Sequence, residues 1–157
     1  MIFCLSILTY AQTPQDRATE LKKQAQSSLN QKDYIKARYL FKKAYEAFAS
    51  RENYPQAIEC GVQANALYVR ENFYKEGFEL CRDMEQLLWT GEQNKKKVFY
   101  DLRFLINKER LQMYTALKNP AQAKTQLDKL EEMANLAKND SLTEVLLYTK
   151  ANYYYTF

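Results

Sequence analysis

The sequence predicts an all-α protein of about seven helices paired into stacked hairpins. Three observations carry this. Only 3 Gly and 3 Pro stand among 157 residues, too few turn-formers for a sandwich, a barrel or a doubly wound sheet. Apolar residues recur at helical spacing through segments separated by short polar connectors. Pro and short polar residues stand where helices should start.

The punctuation places the helices in order. Thr13-Pro14-Gln15-Asp16 offers a capping hydroxyl, a Pro at the first helical position and an acid at the third, opening a helix over 13–31. Gln31-Lys32-Asp33 is a polar turn. The second helix, 33–50, carries Tyr34, Ala37, Phe41, Ala44, Tyr45 and Phe48 on one face. Pro55 and Pro120 open helices over 55–72 and 120–138. A fourth helix, 74–90, is expected to close at Gly91 just after Trp89. Lys95-Lys96-Lys97 is expected to open a fifth, 94–118, with its charges opposed to the helix dipole. Ser141-Leu142-Thr143-Glu144 reads as the capping box of the seventh, 141–157. Short connections between such helices force antiparallel neighbours.

The composition removes whole classes of chemistry. His is absent, and with it the commonest general base and metal ligand. Cys60 and Cys81 lack CxxC spacing, so neither a metal site nor a cofactor is expected. No catalytic residues emerge: Glu79, Asp83 and Glu85 lack a third group to work with. A net charge of +4, evenly spread, does not demand nucleic acid. The 13 Tyr and 8 Phe fall mostly at core spacing, but Tyr153-Tyr154-Tyr155 cannot share one helix face, so at least one ring must point outward.

Met1–Leu8 is apolar and uncharged, and Thr9-Tyr10-Ala11 follows with small residues three and one before a possible cut. Residues 1–11 thus read as the remnant of a secretory leader, with residues 13–157 as the folded domain. That predicts a periplasmic protein, or a cytoplasmic one if the segment is structured. Cys4 would leave with the leader. Cys60 and Cys81 would then be two separately buried thiols or a disulfide.

Internal similarity follows from anchors at Tyr34, Tyr74 and Pro120. Offsets 3, 7 and 10 give Ala37, Phe41 and Ala44, then Gly77, Cys81 and Met84, then Ala123, Leu127 and Leu130. Six and nine positions before the anchors stand Ser28 and Ala25, Tyr68 and Asn65, and Tyr114 and Leu111. Asn65 and Leu111 replace the small residue of Ala25, which predicts less close packing there. Tyr154 and Ala151 stand in the same relation to position 160, so the fourth hairpin is half present and the domain reads as truncated at its C-terminus.

The run Tyr34-Ile35-Lys36-Ala37 with Phe41 and Ala44 resembles the second helix of a tetratricopeptide repeat. Asn72–Gly77 and Asn119–Ala123 look like weaker copies. The anchors lie 40 and 46 positions apart, longer than the usual repeat of about 34 and within the range of armadillo-like or HEAT-like units. With its leader, the chain also resembles the exported repeat region of sensor kinases and transcriptional regulators of Bacteroidota. The resemblance implies a superhelix whose first helices line a concave face. That face would take a protein or peptide partner through Lys22, Gln26, Val62, Ala66, Arg70, Lys108, Gln112, Tyr148 and Asn152. It implies a non-catalytic interaction or sensory module at the front of a larger signalling protein, with a possible homodimer and membrane contact only through a later span. A cytosolic repeat scaffold is the alternative, and an RNA-binding repeat protein a weaker one.

Overall fold

In a computed structural model, which describes residues 14–157 and side chains from Arg17 onward, the chain forms seven helices. They are α1 Pro14–Asn30, α2 Tyr34–Ala49, α3 Tyr54–Arg70, α4 Tyr74–Lys95, α5 Tyr100–Ala116, α6 Pro120–Ala137 and α7 Asp140–Thr156. The leader-like segment, Cys4 and the Thr13 cap lie outside the described residues. No helix described is long and apolar enough to cross a membrane.

One joint design recurs. Each of the six connections holds one residue with positive φ: Lys32, Glu52, Asn72, Lys96, Lys118 and Lys138. At five of them the next residue donates its N–H five positions back: Asp33 to Ser28, Asn53 to Phe48, Phe73 to Tyr68, Lys97 to Glu92 and Asn119 to Tyr114, at 2.9–3.3 Å. This is the Schellman closure of one helix. Three of the same residues then cap the next helix, with Asp33, Asn53 and Asn119 side chains accepting from Lys36, Gln56 and Gln122. Stop and start therefore share three residues, and the helices must reverse.

Three boundaries differ from the sequence expectation. Gly91 does not end α4, which continues to Lys95; it sits inside the helix, where an added Cβ would lie 2.6 Å from Cζ of the Tyr54 ring. Its role is close approach, not termination. Lys95, Lys96 and Lys97 therefore end α4 and lead out of it, where positive charge favours the dipole, and α5 starts only at Tyr100. The cap of α7 is Asn139, accepting from the Ser141 N–H at 3.0 Å, rather than Ser141 itself.

Packing follows the anchor register. All nine residues at offsets 3, 7 and 10 are buried. Asn65 and Leu111 are buried too, so the expected loosening is absent. At Asn65 the compensation is visible across the pair: the facing small position is Gly77, whose added Cβ would come within 3.1 Å of Asn65 Oδ1. Larger on one helix is matched by smaller on the other.

Each helix packs on its neighbours in sequence, and α3 also touches α5, and α5 touches α7. The odd-numbered helices thus run side by side. Two apolar clusters result. One joins α1 to α5 around Phe41, Ile58, Met84 and Ile106. The other joins α5 to α7 around Phe104, Leu127 and Leu130. Helix α5 is the wall between them.

Candidate functional site

Because α5 and α7 both lean on α6 and touch each other, a groove of about 400 Å³ remains between them. Its base is set by side chains that the core already holds: Leu111 and Thr149 are buried, and Thr149 Oγ1 donates to the Val145 carbonyl at 2.7 Å. Satisfying that hydroxyl within α7 leaves its methyl for the groove. Lys108 and Gln112 line it from α5, with Tyr148 and Asn152 from α7. The lining is mainly apolar, with ammonium groups at Lys108 and Lys118. A groove of that kind suits an extended segment that buries apolar side chains and offers carbonyl or carboxylate groups to the cations.

The structure brings four of the nine candidate residues together here: Lys108, Gln112, Tyr148 and Asn152. The other five lie on α1 and α3, outside this groove, and several are already engaged. Lys22 reaches from α1 to α3, donating to Gln56 Oε1 at 2.9 Å and pairing with Glu59 at 2.7 Å. Gln26 donates to Asn30 at 3.1 Å. The Arg70 guanidinium stacks 4.0 Å from the centroid of the Tyr34 ring. Val62 packs against the larger core and Ala66 is exposed.

Sequence reasoning missed Lys118, Thr115, Thr149, Tyr153 and Thr156 in the lining. Lys118 escapes because it occupies the left-handed turn position, which a count of helix faces does not reach. Tyr153 is the half-buried member of the tyrosine run, while Tyr155 is 94 % exposed, so the run does split between core and solvent.

On the face of α5 turned toward α3 lies a buried polar pair. Glu109 follows Lys108 on α5 and is 2 % exposed. It accepts from Asn65 Nδ2 at 3.1 Å, and Lys108 Nζ stands 4.0 Å from its other oxygen. Burial pushes the Glu109 carboxyl above its ordinary value, against the pull of the Asn65 amide and the Lys108 charge. Asn65 Oδ1 has no hydrogen-bond partner. Glu109 shares its face with Ile106 and Met113, a pattern in which an acid at core spacing is itself a signal.

Other ionic groups hold helices in place. Glu92 accepts from the Phe99 N–H at 3.0 Å and from Arg103 Nε at 2.8 Å, which ties the α4–α5 connection to both helices. The Arg103 guanidinium, aided by that N–H, holds the Glu92 carboxyl below the usual range despite its burial. Arg110 Nη2 donates to Glu85 at 2.8 Å, so this acid is already paired. Arg38 pairs with Glu71 and lies 4.9 and 5.0 Å from the Tyr68 and Phe73 rings, bracing the α3–α4 turn.

Cys60 and Cys81 are free and buried, the first of the two readings left open by the sequence. Burial pushes both thiols up to about 12, so the nucleophilic thiolate is scarce at neutral pH. No cluster of metal-ligating side chains occurs among the described residues. Comparison with protein-family models, with curated proteins and with solved structures finds no match to this chain.

Proposed function

We propose that the protein is a non-catalytic binding module, built of tetratricopeptide-like hairpins, that holds a protein or peptide segment along its odd-numbered helices. The observation that carries this reading is the α5–α7 groove, where Lys108, Gln112, Tyr148 and Asn152 converge from two helices at places the repeat register singled out. Its supports are physical. The groove lies between α5 and α7, is lined mainly by apolar surface and carries cations at Lys108 and Lys118. The chain has no His, and its two described thiols are held protonated, so contact suits these residues better than turnover.

An exported setting and a role in front of a signalling protein belong to the same proposal. They rest on the leader-like character of Met1–Ala11 and on the family resemblance, and N-terminal sequencing of protein from its native host tests the first.

The binding reading is tested by selecting random dodecapeptides on phage against the protein and measuring the enriched peptides by fluorescence anisotropy. Micromolar binding is expected. Lys108→Ala and Asn152→Ala should each weaken it by about fivefold or more, with amide shifts confined to α5 and α7. Absence of enrichment, or binding indifferent to both substitutions, counts against the groove.

A further inference from the structure

Helix α7 carries a second feature, on the side turned away from the core. Leu147, Tyr148, Tyr154 and Tyr155 are 62, 71, 64 and 94 % exposed, and Ala151 among them is exposed as well. At about 100° per residue these five side chains form one stripe roughly 120° wide. None of the five is charged; Glu144 bounds the stripe toward the start of the helix.

Its spacing is symmetric. Counted from Ala151, the four large residues stand at −4, −3, +3 and +4. A stripe that reads alike in both directions about a small residue is self-complementary under a two-fold axis. Two such helices laid antiparallel approach closely at Ala151. Leu147 then stands level with the partner's Tyr155 and packs beside the partner's Tyr154, while Tyr148 packs beside the partner's Tyr155. From these observations we propose that two copies of the chain pair through α7, antiparallel, with Ala151 at the axis.

Two further observations bear on the occupant: the face is shaped for a helix, and its area suffices for a second copy. Ala151 and Tyr154 hold the register positions that at Ala25 and Ser28, and at Asn65, are buried by helix-on-helix packing, so this face has the shape that takes a helix. Area also suffices. With about 150–250 Å² for a fully buried aromatic side chain, the three exposed Tyr and Leu147 remove roughly 550 Å² per copy, or about 1,100 Å² in all. That clears the roughly 1,000 Å² a specific interface needs. The stripe shares Tyr148 with the groove, but Leu147, Ala151, Tyr154 and Tyr155 lie outside its lining, so the pairing can be tested without peptide.

Sedimentation of the full chain from about 1 to 300 µM tests it. A monomer–dimer equilibrium in the micromolar range is expected. Ala151→Glu and Tyr155→Glu, both at exposed positions, should weaken dimerisation by about tenfold or more with unchanged helical circular dichroism. Cysteine pairing reads the geometry directly. In a Cys4→Ser background, Ala151→Cys should oxidise to a symmetric disulfide, and Leu147→Cys should link to Tyr155→Cys in a mixture but not to itself. A monomer across the whole range overturns the proposal, as does self-linking at position 147 in preference to 151. A monomer whose Ala151→Cys thiol resists modification would assign the stripe to another segment of the same chain and also overturn it.

Discussion

Asn65 donates from Nδ2 to a carboxylate oxygen of Glu109 at 3.1 Å across the seam between α3 and α5, and both side chains are buried. The amide oxygen of Asn65 is left without a partner. The pair is thus stitched on one side only, and the acid within it is raised above its ordinary range chiefly by burial.

Replacing Glu109→Gln should stabilise the protein at neutral pH. A raised folded-state value means that the acid's contribution is fully present below its unfolded value and is lost as pH rises through the folded one. At pH 7 the ionised form is the costly one. The glutamine oxygen still accepts from Asn65, and its amide group offers a donor to the orphaned oxygen. A gain of about 1–3 kcal/mol is expected at pH 7, fading toward pH 4. Urea unfolding at both values checks this; an equal gain at the two would mean that charge is not the cause.

Gly91→Ala should destabilise. Alanine is the better helix former by about 1 kcal/mol, but its methyl would sit 2.6–2.9 Å from the ring carbons of Tyr54. Displacing a buried ring costs about 1–3 kcal/mol, so a net loss of up to roughly 2 kcal/mol is expected. Combining the change with Tyr54→Leu should recover part of the loss in a thermal-unfolding cycle.

The left-handed joints give the opposite sign. Lys32 and Lys138 have φ of 62° and 51°, which costs a non-glycine residue about 1–2 kcal/mol. Lys32→Gly and Lys138→Gly should each stabilise by up to about 1 kcal/mol after the glycine's own entropy is counted. Lys129→Gly, inside α6, should instead cost about 1 kcal/mol. Melting temperatures of the three variants should therefore fall on both sides of the parent.

Much of this was legible in the residues. The anchor spacing found nine buried positions because a helix buries a fixed stripe whatever its partner, and Pro55 and Pro120 mark starts that depend on local chemistry alone. Gly91 was misleading for the converse reason. A glycine near a helix end can serve a turn or a close neighbour, and only the position of Tyr54, 37 residues away, decides which. The same holds for Lys95–Lys97, whose side of the boundary moved once α4 ran through Gly91. Four groove residues were reached through the register. Lys118 was not, since its place depends on how the turn aims it.

Helix α5 faces two ways, giving Leu102, Ile106 and Met113 to one apolar cluster and Phe104 and Leu111 to the other. Unfolding therefore has a weak point of known location. Loss of α7 and then α6 strips only the smaller cluster and leaves α1 to α5 still packed, whereas losing α3 dissolves the larger one at a stroke. Amide exchange should accordingly be fastest in α7 and slowest in α2 and α3. Grip on anything lying between α5 and α7 would then be set by how often α7 comes away from α6.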